Sequence, residues 1–389
     1  MDTAEPGDES AVMGQGRAPA GPDADGNRAV DVIGGGPQPG RRRSISGWSV
    51  IVAALVVLLG LARLTAAKDA RTDVQPAPGQ TAPTAPTAPT VPAPPPTGIA
   101  PLGDLGPPLT AIPGLPAAIG LGRQGLYAAQ VGPPRLIRIV GGEQVNEVPM
   151  PPEPAGIAVD DGAKLVWTWS TTHDGSDTIT VVRGYDARSL KQVAAARLPG
   201  YPDDAVASGG RLWVAAERLW AVGVDGPARR LSAAHGVPFD VAVDARRHRL
   251  LVATDSALLA VDPRTLRVLD ARALPLGKPS IAVVGNDAWV GDFRQGPLLR
   301  HVDLARSRLA APGPATRWLS AGAVVWPGQR VVWVRDGGTD TLWCVDPGTG
   351  ALLGEWDGIQ GPVVSRAGAA WVISAGSVLP LGLTRSCSG

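Results

Sequence analysis

Two cysteines, Cys344 and Cys387, are all that 389 residues contain. They are too few for a disulfide scaffold and lack the C-x-x-C spacing of a zinc or redox site. Histidine is scarce as well: His173, His235, His248 and His301 are the whole set, and no two have ligand spacing. No Gly-x-Ser-x-Gly elbow and no phosphate loop occurs. One dinucleotide-type match, Gly120-Leu121-Gly122-Arg123-Gln124-Gly125, lacks its context, because Pro113 and Pro116 stand where a strand is required and no helical pattern follows. It reads as a turn. A charge excess is also missing: 36 Lys and Arg against 35 Asp and Glu leave a net charge of +1, and the only short basic runs are Arg41-Arg42-Arg43 and Arg246-Arg247-His248-Arg249. Nothing here offers the broad electrostatic footprint that a nucleic acid needs, so that class of partner is not expected.

What is present is unevenly distributed. Residues 1–44 mix Gly, Pro, Asp and Ala and cannot bury enough apolar surface to offset chain entropy, which predicts a disordered tail. From Ile45 to Ala62 the chain carries no charge, close to the minimum for spanning a bilayer, and Arg63 can snorkel to extend the run. A buried core helix would keep a polar stripe, which this run lacks. A cleaved signal peptide is the other alternative: Thr65-Ala66-Ala67 offers a small-residue cleavage pattern, although such a peptide has a far shorter leading region. The expectation is a retained single-pass helix over 45–67. Residues 68–116 form a Pro/Thr-rich linker, including Thr81-Ala82-Pro83-Thr84-Ala85-Pro86-Thr87-Ala88-Pro89-Thr90, of the kind used as an extracellular spacer. As polyproline II, Thr72 to Pro101 would reach about 90 Å. The basic residues flanking the helix are nearly balanced, so the stalk decides the orientation: tail in the cytoplasm, stalk and remainder outside the plasma membrane.

Residues 117–389 repeat. Leu212-Trp213-Val214, Ala288-Trp289-Val290, Val332-Trp333-Val334 and Ala370-Trp371-Val372 share one pattern, with Val166-Trp167-Thr168, Leu126-Tyr127-Ala128 and Leu250-Leu251-Val252 as weaker copies. The central residues at 127, 167, 213, 251, 289, 333 and 371 are spaced by 40, 46, 38, 38, 44 and 38 positions, about one four-stranded propeller blade each. Most copies open on a short apolar run, such as Ile281-Ala282-Val283, and four close their third strand on a turn that starts with Asp186, Asp262, Asp303 or Asp346. Radial closure removes the exposed edges of such a series, so the fold class is all-β, a seven-bladed β-propeller. The last repeat is a strand short, and Leu109-Thr110-Ala111-Ile112 is expected to supply it. The repeated Trp residues are read as wedges between blades.

The Val-Trp-Val and Val-Asp-Pro-x-Thr-Gly pattern, clearest from Val331 to Leu353, resembles the YVTN and NHL-type propeller repeat families, including their cell-envelope members and the streptogramin-lyase-like branch. The resemblance covers Ala117 onward, and the literal Tyr-Val-Thr-Asn tetrapeptide is absent. It implies a propeller and leaves binding, sensing and catalysis open. Ligands of propellers gather on the face made by second-to-third strand loops and blade connections. Those segments contain His173, Asp174, Asp177, Asp203, Asp204, Glu217, His235, Phe239, Asp240, Asp255, Asp292, Phe293, Arg294, Asp336 and Asp340. Ten are carboxylates, which could hold Ca²⁺ or Mg²⁺ or attract a cationic ligand, although Asp also favours turns for local hydrogen bonding. No cofactor is required by any motif. His173 or His235 would serve as a general base in the enzyme that the lyase branch implies. Cys344 and Cys387 are candidates for one disulfide, the alternative being two separate thiols. The expected function is a membrane-tethered extracytoplasmic propeller that binds a protein or an envelope polymer without catalysis; the competing expectation is a metal-dependent lyase or hydrolase acting on the acidic loop face.

Overall fold

The computed structural model describes residues 103–231, 235–293, 298–305, 308–310, 319, 322–384 and 386–387. The expected tail (1–44), membrane helix (45–67) and linker up to residue 102 lie outside the described residues, as does Arg294. Among the described residues no helix is long and apolar enough to cross a membrane.

Seven antiparallel sheets follow one another along the chain. Blade 1 holds β1 (Pro116–Gly122), β2 (Gly125–Gln130), β3 (Arg135–Val140) and β4 (Glu143–Pro149). Blade 2 holds β5 (Pro154–Asp160), β6 (Leu165–Asp174), β7 (Asp177–Asp186) and β8 (Gln192–Pro199). Blade 3 holds β9 (Asp204–Ser208), β10 (Arg211–Ala215), β11 (Leu219–Gly223) and the short β12 (Arg229–Arg230). Blade 4 is β13 (Pro238–Asp244), β14 (Arg249–Thr254), β15 (Ala257–Val261) and β16 (Val268–Ala273). Blade 5 has, among the described residues, β17 (Pro279–Val284), β18 (Asp287–Asp292) and β19 (Leu298–Asp303). Blade 6 is β20 (Ala323–Pro327), β21 (Val332–Asp336), β22 (Thr341–Val345) and β23 (Leu352–Trp356); blade 7 is β24 (Val363–Arg366), β25 (Ala369–Ser374) and β26 (Ser377–Pro380). The first strands of successive blades touch in order, and β24 meets β1, so the ring closes.

Instead of one central core the protein has seven apolar wedges, each between adjacent blades. Trp167 and Trp169 pack between blades 2 and 3, Trp213 between 3 and 4, Trp289 between 5 and 6, and Trp333 between 6 and 7. Their bodies are apolar and two indoles also cross to the next blade: Trp289 Nε1 donates to the Pro347 carbonyl (2.9 Å) and Trp333 Nε1 to Ser365 Oγ (3.0 Å). Gly184 lies under Trp167, where a Cβ would stand 2.8 Å from the ring. The pattern that repeats in sequence is thus the interface between blades.

The ring is fastened by the segment before β1, along the outer edge of β26. Gly106 N donates to the Pro380 carbonyl, Leu109 N to Val378, and Gly382 N to Asp104, with Leu105 and Leu381 forming an antiparallel bridge. Pairing is centred on residues 104–109, a few positions before the expected Leu109–Ile112 strand. Ala111 and Ile112 instead pack into the wedge between blades 7 and 1, and Pro107 and Pro108 have no N–H to extend the ladder. Beside this closure Cys387 of the C-terminal tail is bonded to Cys344 of β22. Both are buried.

Candidate functional site

The hairpins alternate between two faces of the ring. One face carries the turns joining first to second and third to fourth strands. There the aspartates that close third strands accept backbone N–H bonds two and three residues on: Asp186 from Arg188 and Ser189, Asp262 from Arg264 and Thr265, Asp346 from Gly348 and Thr349. For Asp186 and Asp346 the Ser189 and Thr349 side chains, seconded by backbone donors, lower the carboxyl pKa; for Asp262 the backbone donor leads. Asp244 is fully buried and is held by Arg249 at 2.9 Å and Arg247 at 3.2 Å. Asp160 accepts from Gly210 N of blade 3 (2.7 Å), and Asp161 accepts from Arg123 N (2.7 Å) and pairs with Arg366 of blade 7. This face ties blades together. His248 is an exposed turn residue here, and His301 of β19 bonds Asp287 Oδ1 at 2.7 Å.

The opposite face carries the second-to-third strand loops and the blade connections, and the described candidates gather there. His173 and Asp174, expected in a loop, belong to β6. The β-branched run Thr171-Thr172 facing Thr178-Ile179-Thr180 carries the ladder on to Asp174 opposite Asp177, and only Gly175 (φ 64°) and Ser176 make the turn. With ten residues in each strand, this hairpin holds both exposed side chains at its end.

Three of the aspartates are committed to backbone. Asp292, buried, accepts from Gly277 N (2.8 Å) and Lys278 N (3.1 Å); Asp336, buried, accepts from Gly338 N (2.9 Å). Asp240, also buried, accepts from Val241 N (2.5 Å) and Ile281 N (2.6 Å). Burial pushes the Asp240 and Asp204 carboxyls above the ordinary Asp range, furthest for Asp240, beside which the Asp204 charge adds. Asp340 accepts from Gln360 Nε2 (3.2 Å), and Asp255 is exposed.

Asp177, Asp203 and Glu217 are brought together. They line an open groove of roughly 630 Å³ between blades 2 and 3, with Tyr201 and Val237 in its wall. Tyr201 is 57% exposed and Val237 42%, so apolar and aromatic surface stands beside the carboxylates. Lys278, positioned by Asp292, reaches across blade 4 to Asp203 at 3.3 Å. Glu217 and His235 also share a crevice of about 10 Å³ behind the groove. Elsewhere on the face Phe293 is 46% exposed and Phe239 half-buried. Among the described residues no three His, Cys, Asp or Glu side chains converge where a metal ion would sit.

Sequence reasoning did not find Tyr201, Val237 or Lys278. The signal for Tyr201 was an aromatic between Gly200 and Pro202 in a blade connection, where a packed strand is excluded. Lys278 had none.

No protein-family model matches the chain, and no curated protein matches it either. Solved structures do. Hydrazine synthase from Kuenenia stuttgartiensis aligns at 12% identity over 71% of this chain and 97% of that one, with a TM-score of 0.57. The β-propeller domain of Cps50 (Swd1) from Myceliophteria thermophila aligns at 12% identity over 72% of this chain and all of that one, with a TM-score of 0.54. Likeness at this identity is likeness of fold, and the chain is a seven-bladed β-propeller.

Proposed function

We propose that this protein is a membrane-tethered, extracytoplasmic propeller of the YVTN and NHL-type repeat class, acting without catalysis as a binding or scaffold module of the cell envelope. The loop-face groove between blades 2 and 3 receives a protein or envelope-polymer ligand. The observation that carries this reading is the groove itself, where exposed Tyr201 and Val237 adjoin Asp177, Asp203 and Glu217. Aromatic surface supplies contact area at low entropic cost and the carboxylates select for cationic groups. The uncharged run from Ile45 to Ala62 and the Pro/Thr stretch after it support the tether. The Cys344–Cys387 bond supports an oxidising compartment.

A photo-crosslinking amino acid at Tyr201 of the full chain, expressed in its own envelope, tests the groove. A discrete adduct is expected there and none from Leu269, which is 60% exposed on the outer strand β16. Identical adduct patterns from the two positions would overturn the assignment. Protease protection of intact cells tests the topology in parallel, with cleavage of the propeller only from outside expected.

A further inference from the structure

Basic and acidic residues nearly cancel over the whole sequence, 36 against 35. The fold sorts them. Among the described residues, the hairpin turns that lie between strands on the turn face hold nine Lys or Arg and four Asp. The loops and blade connections of the opposite face hold six Asp or Glu and two Lys or Arg, again among the described residues. One end of the ring is therefore basic and the other acidic.

The positive charge is the more available of the two on the turn face. Eight of the nine cations are exposed, and Lys164, Lys191, Arg267 and Arg330 make no ion pair among the described residues. Three of the four acids are engaged within the protein: Asp161 by Arg366, and Asp262 and Asp346 by the backbone donors of their own turns.

The chain also joins the ring at this face. Residues 104–109 run along β26 from its turn-face end, where Gly382 N donates to the Asp104 carbonyl, to its loop-face end, where Leu109 N donates to Val378. The strand β1 then starts at the loop face and returns. A tether arriving through the Pro/Thr linker thus meets the propeller at its basic side.

We propose that the basic turn face docks on an anionic phospholipid surface and so holds the groove between blades 2 and 3 away from the bilayer. The identity of that surface rests on the proposed membrane tether, whereas the contact rests on the segregated charge. Each Lys or Arg near an anionic headgroup layer is worth about fivefold in binding, and a tether supplies the effective concentration that lets such weak contacts suffice. Salt screens the contact, so docking is reversible. A soluble polyanion offers similar charge but gives no reason for the chain to enter at this face.

The test uses the full chain with vesicles of phosphatidylcholine alone or mixed with phosphatidylglycerol. A dye is placed on one added cysteine, Ala245→Cys in an exposed turn of the basic face or Ser176→Cys in an exposed turn of the loop face. Energy transfer to a headgroup-labelled lipid reads proximity. From Ala245→Cys it is expected to rise with phosphatidylglycerol and fall back in salt, and from Ser176→Cys to stay low in both lipids. Lys191→Gln with Arg267→Gln, at equivalent places before the fourth strands of blades 2 and 4, should lower the ratio of docked to undocked protein by about thirtyfold and leave the urea midpoint unchanged. Flotation separates docking from the tether: an anchored chain floats with both vesicle types in high salt, whereas a chain that floats only with phosphatidylglycerol in low salt docks and contradicts the anchor. Flotation with neither overturns both. Equal transfer from Ala245→Cys in the two lipids, or the same rise from Ser176→Cys, would overturn the docking; if heparin then bound the basic face, that face would belong to a soluble polyanion instead.

Discussion

On the turn face Asp186, Asp262 and Asp346 sit at hairpin starts with backbone N–H groups aimed at them, and their pKa values are lowered. On the opposite face burial raises those of Asp204 and Asp240. The residue type is the same, and what differs first is burial. A turn lends a carboxylate two or three donors at little cost in burial, whereas Asp240 receives two backbone donors and is shut away from water. On the turn face the acids hold the scaffold; on the other face Asp240, Asp292 and Asp336 do so as well, while Asp177, Asp203 and Glu217 surround an open groove.

The contrast can be broken by substitution, and the expected effects on stability descend from the turn face to the loop face. Asp244→Ala removes the buried carboxylate that holds Arg249 and Arg247 and should cost about 3–5 kcal/mol, read as a lower urea midpoint. Cys387→Ala opens a link between residues 43 positions apart and should cost about 2–4 kcal/mol in the same assay. Asp346→Ala removes the donors' acceptor at a partly exposed turn and should cost roughly 1 kcal/mol. Because the Asp346 pKa is lowered on folding, its contribution is present above the ordinary Asp value of about 3.9 and is lost as the pH falls below it, so mutant and wild type should converge in acid. The double replacement Asp177→Lys and Glu217→Lys touches two exposed groups and should stay within about 0.5 kcal/mol of the wild type. A large loss there would make those groove acids structural and erase the distinction between faces.

The scaffold was more legible in the sequence than the site. Trp213-Val214 and its relatives recur because each wedge between blades poses the same packing problem, and Asp262-Pro263 recurs because each hairpin poses the same turn problem. Periodic demands leave periodic residues. The groove that gathers Asp177, Asp203 and Glu217 draws on single positions of neighbouring blades and leaves no period. Placing His173 in a loop failed for a local reason: Thr171-Thr172 and Thr178-Ile179-Thr180 are strand formers, and two residues suffice for the turn. The shift of the closing segment to residues 104–109 reflects a ladder too sparse to show as an alternating pattern.

The most direct test of the account moves the same charge on both faces. In the full chain carrying the photo-crosslinker at Tyr201, Asp177→Lys with Glu217→Lys is compared with Glu143→Lys with Asp225→Lys, two exposed acids on the turn face. The account predicts that the loop-face pair lowers adduct yield by about tenfold or more, equivalent to about 1.4 kcal/mol of binding, and that the turn-face pair leaves it unchanged. Equal losses from the two pairs, or none from either, would contradict it.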